Sequence, residues 1–120
     1  MRFTPHQHIK QLSDFQKIRS SGLRRESGFF CLNYLVCPER EPALRRLGVI
    51  ATRRYGNAVQ RNRAKRRLRE AFRECQNALP PSVDVVLIVR NRLRHADHTQ
   101  LVKAIRAAFA KVEAAKTQHS

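Results

Sequence analysis

The segment Val83–Val89 (VDVVLIV) constrains the fold more than any other stretch of the chain. All but Asp84 are apolar and most are β-branched, so the segment reads as a central strand buried on both faces. Such a strand needs cover above and below. Pro80-Pro81 close the helical pattern that precedes it, and an amphipathic pattern follows it. Helices packed on a small sheet meet that need. The class is therefore α+β, a two-layer α/β sandwich. At 120 residues the chain suits one domain, 1–120.

The remaining elements follow from pattern and punctuation. Residues 1–12 are polar and are expected to be extended and flexible, as are 116–120 at the other end. Ser13 is a candidate cap for a short helix from Asp14 to Ser20, with Gly22 as its stop. Phe29 to Cys37 reads as a strand, with Phe30, Leu32, Tyr34 and Val36 on one face. A second strand covers Leu44 to Arg53. The short PEREP turn between them predicts an antiparallel hairpin. Asn57 is a candidate N-cap for a long helix reaching Leu79, and a last helix spans His98 to Ala115. The predicted order is α-β-β-α-β-α.

Charge limits the partners. There are 25 Lys and Arg against 9 Asp and Glu, a net charge of +16. Crowded cations repel one another, so a polyanion is expected to neutralise them. Arg outnumbers Lys, and its planar fork suits phosphate and bases, which favours nucleic acid over an anionic membrane. No apolar run approaches the ~18 residues of a membrane span. The N-terminal MRFTPHQHIKQL has no apolar h-region, so no signal peptide is expected. Cys31, Cys37 and Cys75 form no CxxC pair and read as small buried hydrophobes of a cytoplasmic protein.

Between Arg53 and Arg73 stand nine basic residues and one acid, Glu70. On a helix, Ala64, Leu68, Ala71, Phe72, Cys75 and Leu79 form one apolar stripe. Asn62, Arg66, Arg69 and Arg73 fall opposite it as a solvent-facing rail. Arg61 and Lys65 take one flank, Arg63 and Arg67 the other. A self-supporting surface helix would intersperse Glu at i, i+4, and none lies between Arg61 and Arg69. A DNA-reading basic helix would continue into a dimer seam, whereas here prolines follow. The pattern favours RNA, no DNA, and a monomeric domain.

The stretch from Leu47 to Glu70, LGVIATRRYGNAVQRNRAKRRLRE, resembles the signature of the bacterial ribonuclease P protein component. Arg53 and Arg54 stand at the basic pair, Gly56-Asn57-Ala58-Val59 at the turn, and Arg61, Asn62, Arg63, Lys65, Arg66, Arg69 and Glu70 in the helix motif. The flanking elements fall in family order over nearly the whole chain. The resemblance implies a left-handed β-α-β crossover. It also implies an RNA-binding set of Arg53, Arg54, Arg61, Asn62, Arg63, Lys65, Arg66 and Arg69, to which the rail adds Arg73, with ribonuclease P RNA and precursor tRNA as partners. A cleft between the sheet and the first helix would hold the 5′ leader, with Phe15, Arg19, Phe30 and Asn33 as candidates. Arg19 and Asn33 replace the aromatics usual there. Mg²⁺ would be bound mainly by the catalytic RNA subunit.

The residues themselves offer a binder. Glu70 and Glu74 have arginine neighbours and are expected to pair with them. His6 and His8 lie in the N-terminal segment, His95 and His98 in a loop, none with a carboxylate at useful spacing. Two other readings compete: a ribosomal or other structural RNA-binding protein, and a self-sufficient metal-dependent ribonuclease.

Overall fold

A computed structural model describes residues 3–119, with side chains described through residue 112. The helices are α1 (Leu12–Ser21), α2 (Ala58–Cys75) and α3 (His98–His119). The strands are β1 (Leu23–Glu26), β2 (Phe30–Val36), β3 (Arg45–Ile50) and β4 (Val83–Val89). They form one mixed sheet in the order β1-β2-β4-β3. The fold is α+β, in the order α-β-β-β-α-β-α.

β4 is central, as its composition requires. Val83, Val85 and Leu87 join the larger core with α2 and α3, while Val86 joins a smaller one with Ile9 and Ile18. That central place overturns the expected hairpin. β2 runs antiparallel to β4 and β3 runs parallel to it, so β2 and β3 never touch in the ladder. The PEREP turn permits a hairpin, but a strand apolar on both faces cannot stand at a sheet edge. β4 therefore separates the two. β3, α2 and β4 make the β-α-β unit.

Other boundaries move for local reasons. β1 (LRRE) is charged and lacks alternation, and it is a strand because it pairs along the free edge of β2, Leu23 opposite Tyr34. α1 starts at Leu12 with Gln11 as a cap that makes no side-chain bond, so Ser13 lies inside the helix. Gly22 ends it, and a Cβ there would come within 2.3 Å of the Tyr34 carbonyl oxygen. Asn57 caps α2 as expected. Its side chain accepts from the Gln60 N–H at 2.9 Å, and the Gln60 side chain accepts from the Asn57 N–H at 2.9 Å. α2 stops at Cys75 and continues as a 3₁₀ turn, Gln76–Ala78.

The N-terminal stretch is docked where an extended tail was expected. Pro5–Gln7 form a 3₁₀ turn, and His8 bridges Leu47 in parallel. The Ile9 N–H donates to the Leu47 carbonyl at 2.9 Å. The Gln7 amide donates to the Arg45 carbonyl and to the Gln76 side chain, both at 2.9 Å. β3 has an open edge, and this segment covers it. Residues 1, 2 and 120 lie outside the described residues, as do the side chains to which a frayed 116–120 would apply.

Candidate nucleic-acid interface

α2 buries Ala64, Leu68, Ala71, Phe72 and Cys75 against the sheet and α3, the apolar stripe read from the sequence. Asn62, Arg63 and Arg66 stand exposed on its other side. Arg61, Lys65, Arg69 and Arg73 are half-buried. The rail is thus uneven. Arg69 lies close enough to act on the His8 ring, which stacks on Phe3, itself edge-on against Phe72. Burial, then the Arg69 and Lys10 charges, push the His8 imidazole below its ordinary range. Arg73 pairs with Glu70, and that hydrogen bond holds the Glu70 carboxyl below its usual range. Arg53 and Arg54 are exposed in the 3₁₀ turn Arg53–Tyr55 that feeds α2.

The opposite face of the sheet carries α1. Phe15 packs there with Leu35, Ile50 and Ile88, all half-buried around Ile9, Ile18 and Val86. β3 accommodates the ring because it has Gly48, where a Cβ would come within 2.5 Å of Phe15. Gly48→Val should therefore tilt Phe15 and α1 outward and cost about 1–3 kcal/mol. Urea unfolding checks this, and an unchanged midpoint would show that Phe15 yields freely.

The four leader-cleft candidates divide. Asn33 is buried and pairs in register with Val86, which places it on the same sheet face as Phe15. Arg19 is exposed one helical turn after Phe15 on α1. Phe30 does not join them. It is wholly buried in the core under α2 and α3, in register with Val89. Strand alternation put Phe30 and Asn33 on opposite faces from the start, and only the tertiary packing reveals which face is open.

Two further features are absent from the sequence reading. His98 starts α3, where its ring nitrogen meets a Glu74 carboxylate oxygen at 2.6 Å. It therefore has a carboxylate partner after all, and Glu74, whose charge also acts on Arg73, pairs with a histidine as well. The 3₁₀ segment Asn91–His95 also carries Arg92 over the Phe29 ring at 5.8 Å and Arg94 over the Tyr55 ring at 4.1 Å. Arg90 beside it makes two 3.0 Å hydrogen bonds to Glu26. Three arginines in RNRLR were the available signal. Among the described residues, no three His, Cys, Asp or Glu side chains converge in a way that could hold a metal ion. Nor is any helix among them long and apolar enough to cross a membrane.

An α+β domain with an acid-poor arginine helix on one side and a half-buried aromatic near an exposed arginine on the other is an RNA-binding domain. Residues 3–113 match the family model described as ribonuclease P. The ribonuclease P protein component of Syntrophobacter fumaroxidans is 34% identical over 109 residues, covering 90% of this chain and 89% of that protein. That of Gluconacetobacter diazotrophicus is 38% identical over 104 residues, covering 86% and 88%. Among solved structures, the Staphylococcus aureus RNase P protein superposes with a TM-score of 0.74 at 26% identity, over 89% of this chain and 94% of that one. The Thermotoga maritima protein shares the fold, with a TM-score of 0.75 at 23% identity over 87% and 96%. The chain belongs to the bacterial ribonuclease P protein component family. Membership makes it a subunit of an endoribonuclease of tRNA processing and implies association with ribonuclease P RNA.

Proposed function

We propose that α2 lies on ribonuclease P RNA while the α1 face of the sheet holds the 5′ leader of precursor tRNA, promoting its endonucleolytic removal. The observation that carries this is the acid-free run Arg61–Arg69, with Asn62, Arg63 and Arg66 exposed beside the basic turn Arg53–Tyr55. Phosphate contacts of this kind set register without reading sequence. The RNA contacts are Arg53, Arg54, Arg61, Asn62, Arg63, Lys65, Arg66, Arg69 and Arg73. The leader contacts are Phe15, Arg19 and Asn33. A half-buried aromatic one helical turn from an exposed arginine suits an unpaired strand, which gains by stacking on such a ring. Family resemblance supports assigning the chemistry to the RNA subunit, which would hold most of the Mg²⁺. The protein works as a monomer in the cytoplasm.

Reconstitution tests this division. Purified protein with Mg²⁺ and precursor tRNA should leave the substrate intact, and adding the RNA subunit should produce cutting at the mature 5′ end. Cutting there by the protein alone would overturn the assignment.

A further inference from the structure

We propose that a hollow between α2 and the segment Asn91–His95 seats a backbone phosphate of the RNA, so that the RNA footprint extends past α2 onto Arg94. This rests on the reading of α2 as the RNA-binding helix. The hollow has a volume of 180 Å³ and is lined by Tyr55, Gln60, Arg63, Ala64, Arg67 and Arg94. Three guanidiniums line it and no carboxylate does. The larger groove between α2 and α3, 520 Å³, contains Glu74, whose carboxylate faces His98 at 2.6 Å. Only the smaller hollow is uniformly attractive to an anion.

Its walls are set before any ligand arrives. Arg67 donates to the Leu93 carbonyl at 2.9 Å and also to the Ala96 carbonyl. These bonds latch the segment to α2, and wholly buried Leu93 pins it from below. The Tyr55 ring is buried, with the Arg94 guanidinium carbon 4.1 Å above its centre. That contact restrains a long side chain whose ordering would otherwise oppose binding. The Gln60 side-chain oxygen is occupied by the Asn57 N–H, which leaves its NH₂ as a donor. Arg63 and Arg94 are both exposed, and neither forms an ion pair with a described carboxylate. Two guanidinium forks aimed at one hollow match a phosphate's oxygens.

Geometry gives this hollow a place in the complex. Arg63 and Arg67 lie on the flank of α2 away from Arg61 and Lys65. A strand on the outer face at Asn62 and Arg66 reaches Arg94 by crossing Arg63. The same phosphate chemistry could also arrive as a free anion, and the test separates the two.

Binding of the full chain to ribonuclease P RNA is measured across a salt series for wild type, Arg94→Ala, Arg94→Lys and Arg66→Ala, with melting curves for each. Arg94→Ala is expected to fold normally, to weaken binding roughly tenfold, and to make the log–log salt slope shallower by about one unit. Arg94→Lys should restore the slope but not the full affinity, because it keeps the charge and loses the fork. In parallel, inorganic phosphate is titrated while NMR follows the Tyr55 ring and Arg94 side chain. Shifts there with phosphate, together with the Arg94→Ala loss, support the site. Shifts without that loss mean a free-anion site and overturn the proposal. An unchanged slope and affinity in a folded Arg94→Ala overturn it as well. If Arg66→Ala alters the slope while Arg94→Ala does not, only the hollow fails. If neither does, the reading of α2 fails too.

Discussion

Replacing Asp84 with asparagine should lower the unfolding free energy by about 3 kcal/mol at neutral pH, measured by urea denaturation. Asp84 is the one acid in the central strand, and its side chain is 7% exposed. Arg40 donates to it at 2.8 Å, and Arg46 donates twice, each at 2.8 Å. Arg46 also reaches Asp14 on α1 at 3.4 Å, so the cluster ties that helix to the sheet. Asparagine removes the charge that two partly buried guanidiniums share, leaving Arg46 only the longer contact to Asp14. Burial disfavours the Asp84 anion, but the hydrogen bonds from Arg46 and Arg40 outweigh it and hold the carboxyl below its usual range. A carboxyl lowered on folding stabilises fully above its unfolded value, about 4, and that contribution fades as pH falls through the folded value. Wild type should therefore lose stability below about pH 4 by a margin that the variant does not show. Equal acid sensitivity in the two would remove Asp84 from its role as the centre of the cluster.

Affinity for ribonuclease P RNA should fall roughly 500-fold between 50 and 200 mM monovalent salt, a slope of about −4 to −5 for some six phosphates. The acids explain why this is expected of α2 in particular. Asp14, Glu26, Glu70, Glu74 and Asp84 are each committed to a basic partner elsewhere or at the far end of that helix. The first half of α2 keeps its charge for an outside partner. Arg66→Ala should make the slope shallower by about one unit. If the slope is unmoved, the exposed face of α2 points away from the RNA.

The sequence disclosed most where periodicity and burial coincide. The Ala64-to-Cys75 stripe, the Asn57 cap and the burial of β4 were all legible, because each depends on local spacing. The strand order was not. Whether β2 pairs with β3 or with β4 is decided by which strand most needs two neighbours. A short turn masks that competition. β1 was invisible because LRRE becomes a strand only beside β2. Phe30 enters the cleft only through the family resemblance, since alternation sets it on the face opposite Asn33 without saying which face α2 covers. Tyr55 and Arg94 lie 39 residues apart, so no motif could join them.

The order β1-β2-β4-β3 also bears on how the chain matures. β2 and β3 both bond to a strand made after α2, and until Val83–Val89 exist only the β1–β2 pair can form. Synthesis therefore runs through about two thirds of the chain before the sheet acquires its centre. During that time an arginine-rich helix is already exposed with no core to hold it. Late closure of this kind makes folding slow and leaves intermediates prone to aggregate. A nascent chain of this design gains from meeting its RNA early, which would make ribonucleoprotein assembly part of its folding pathway.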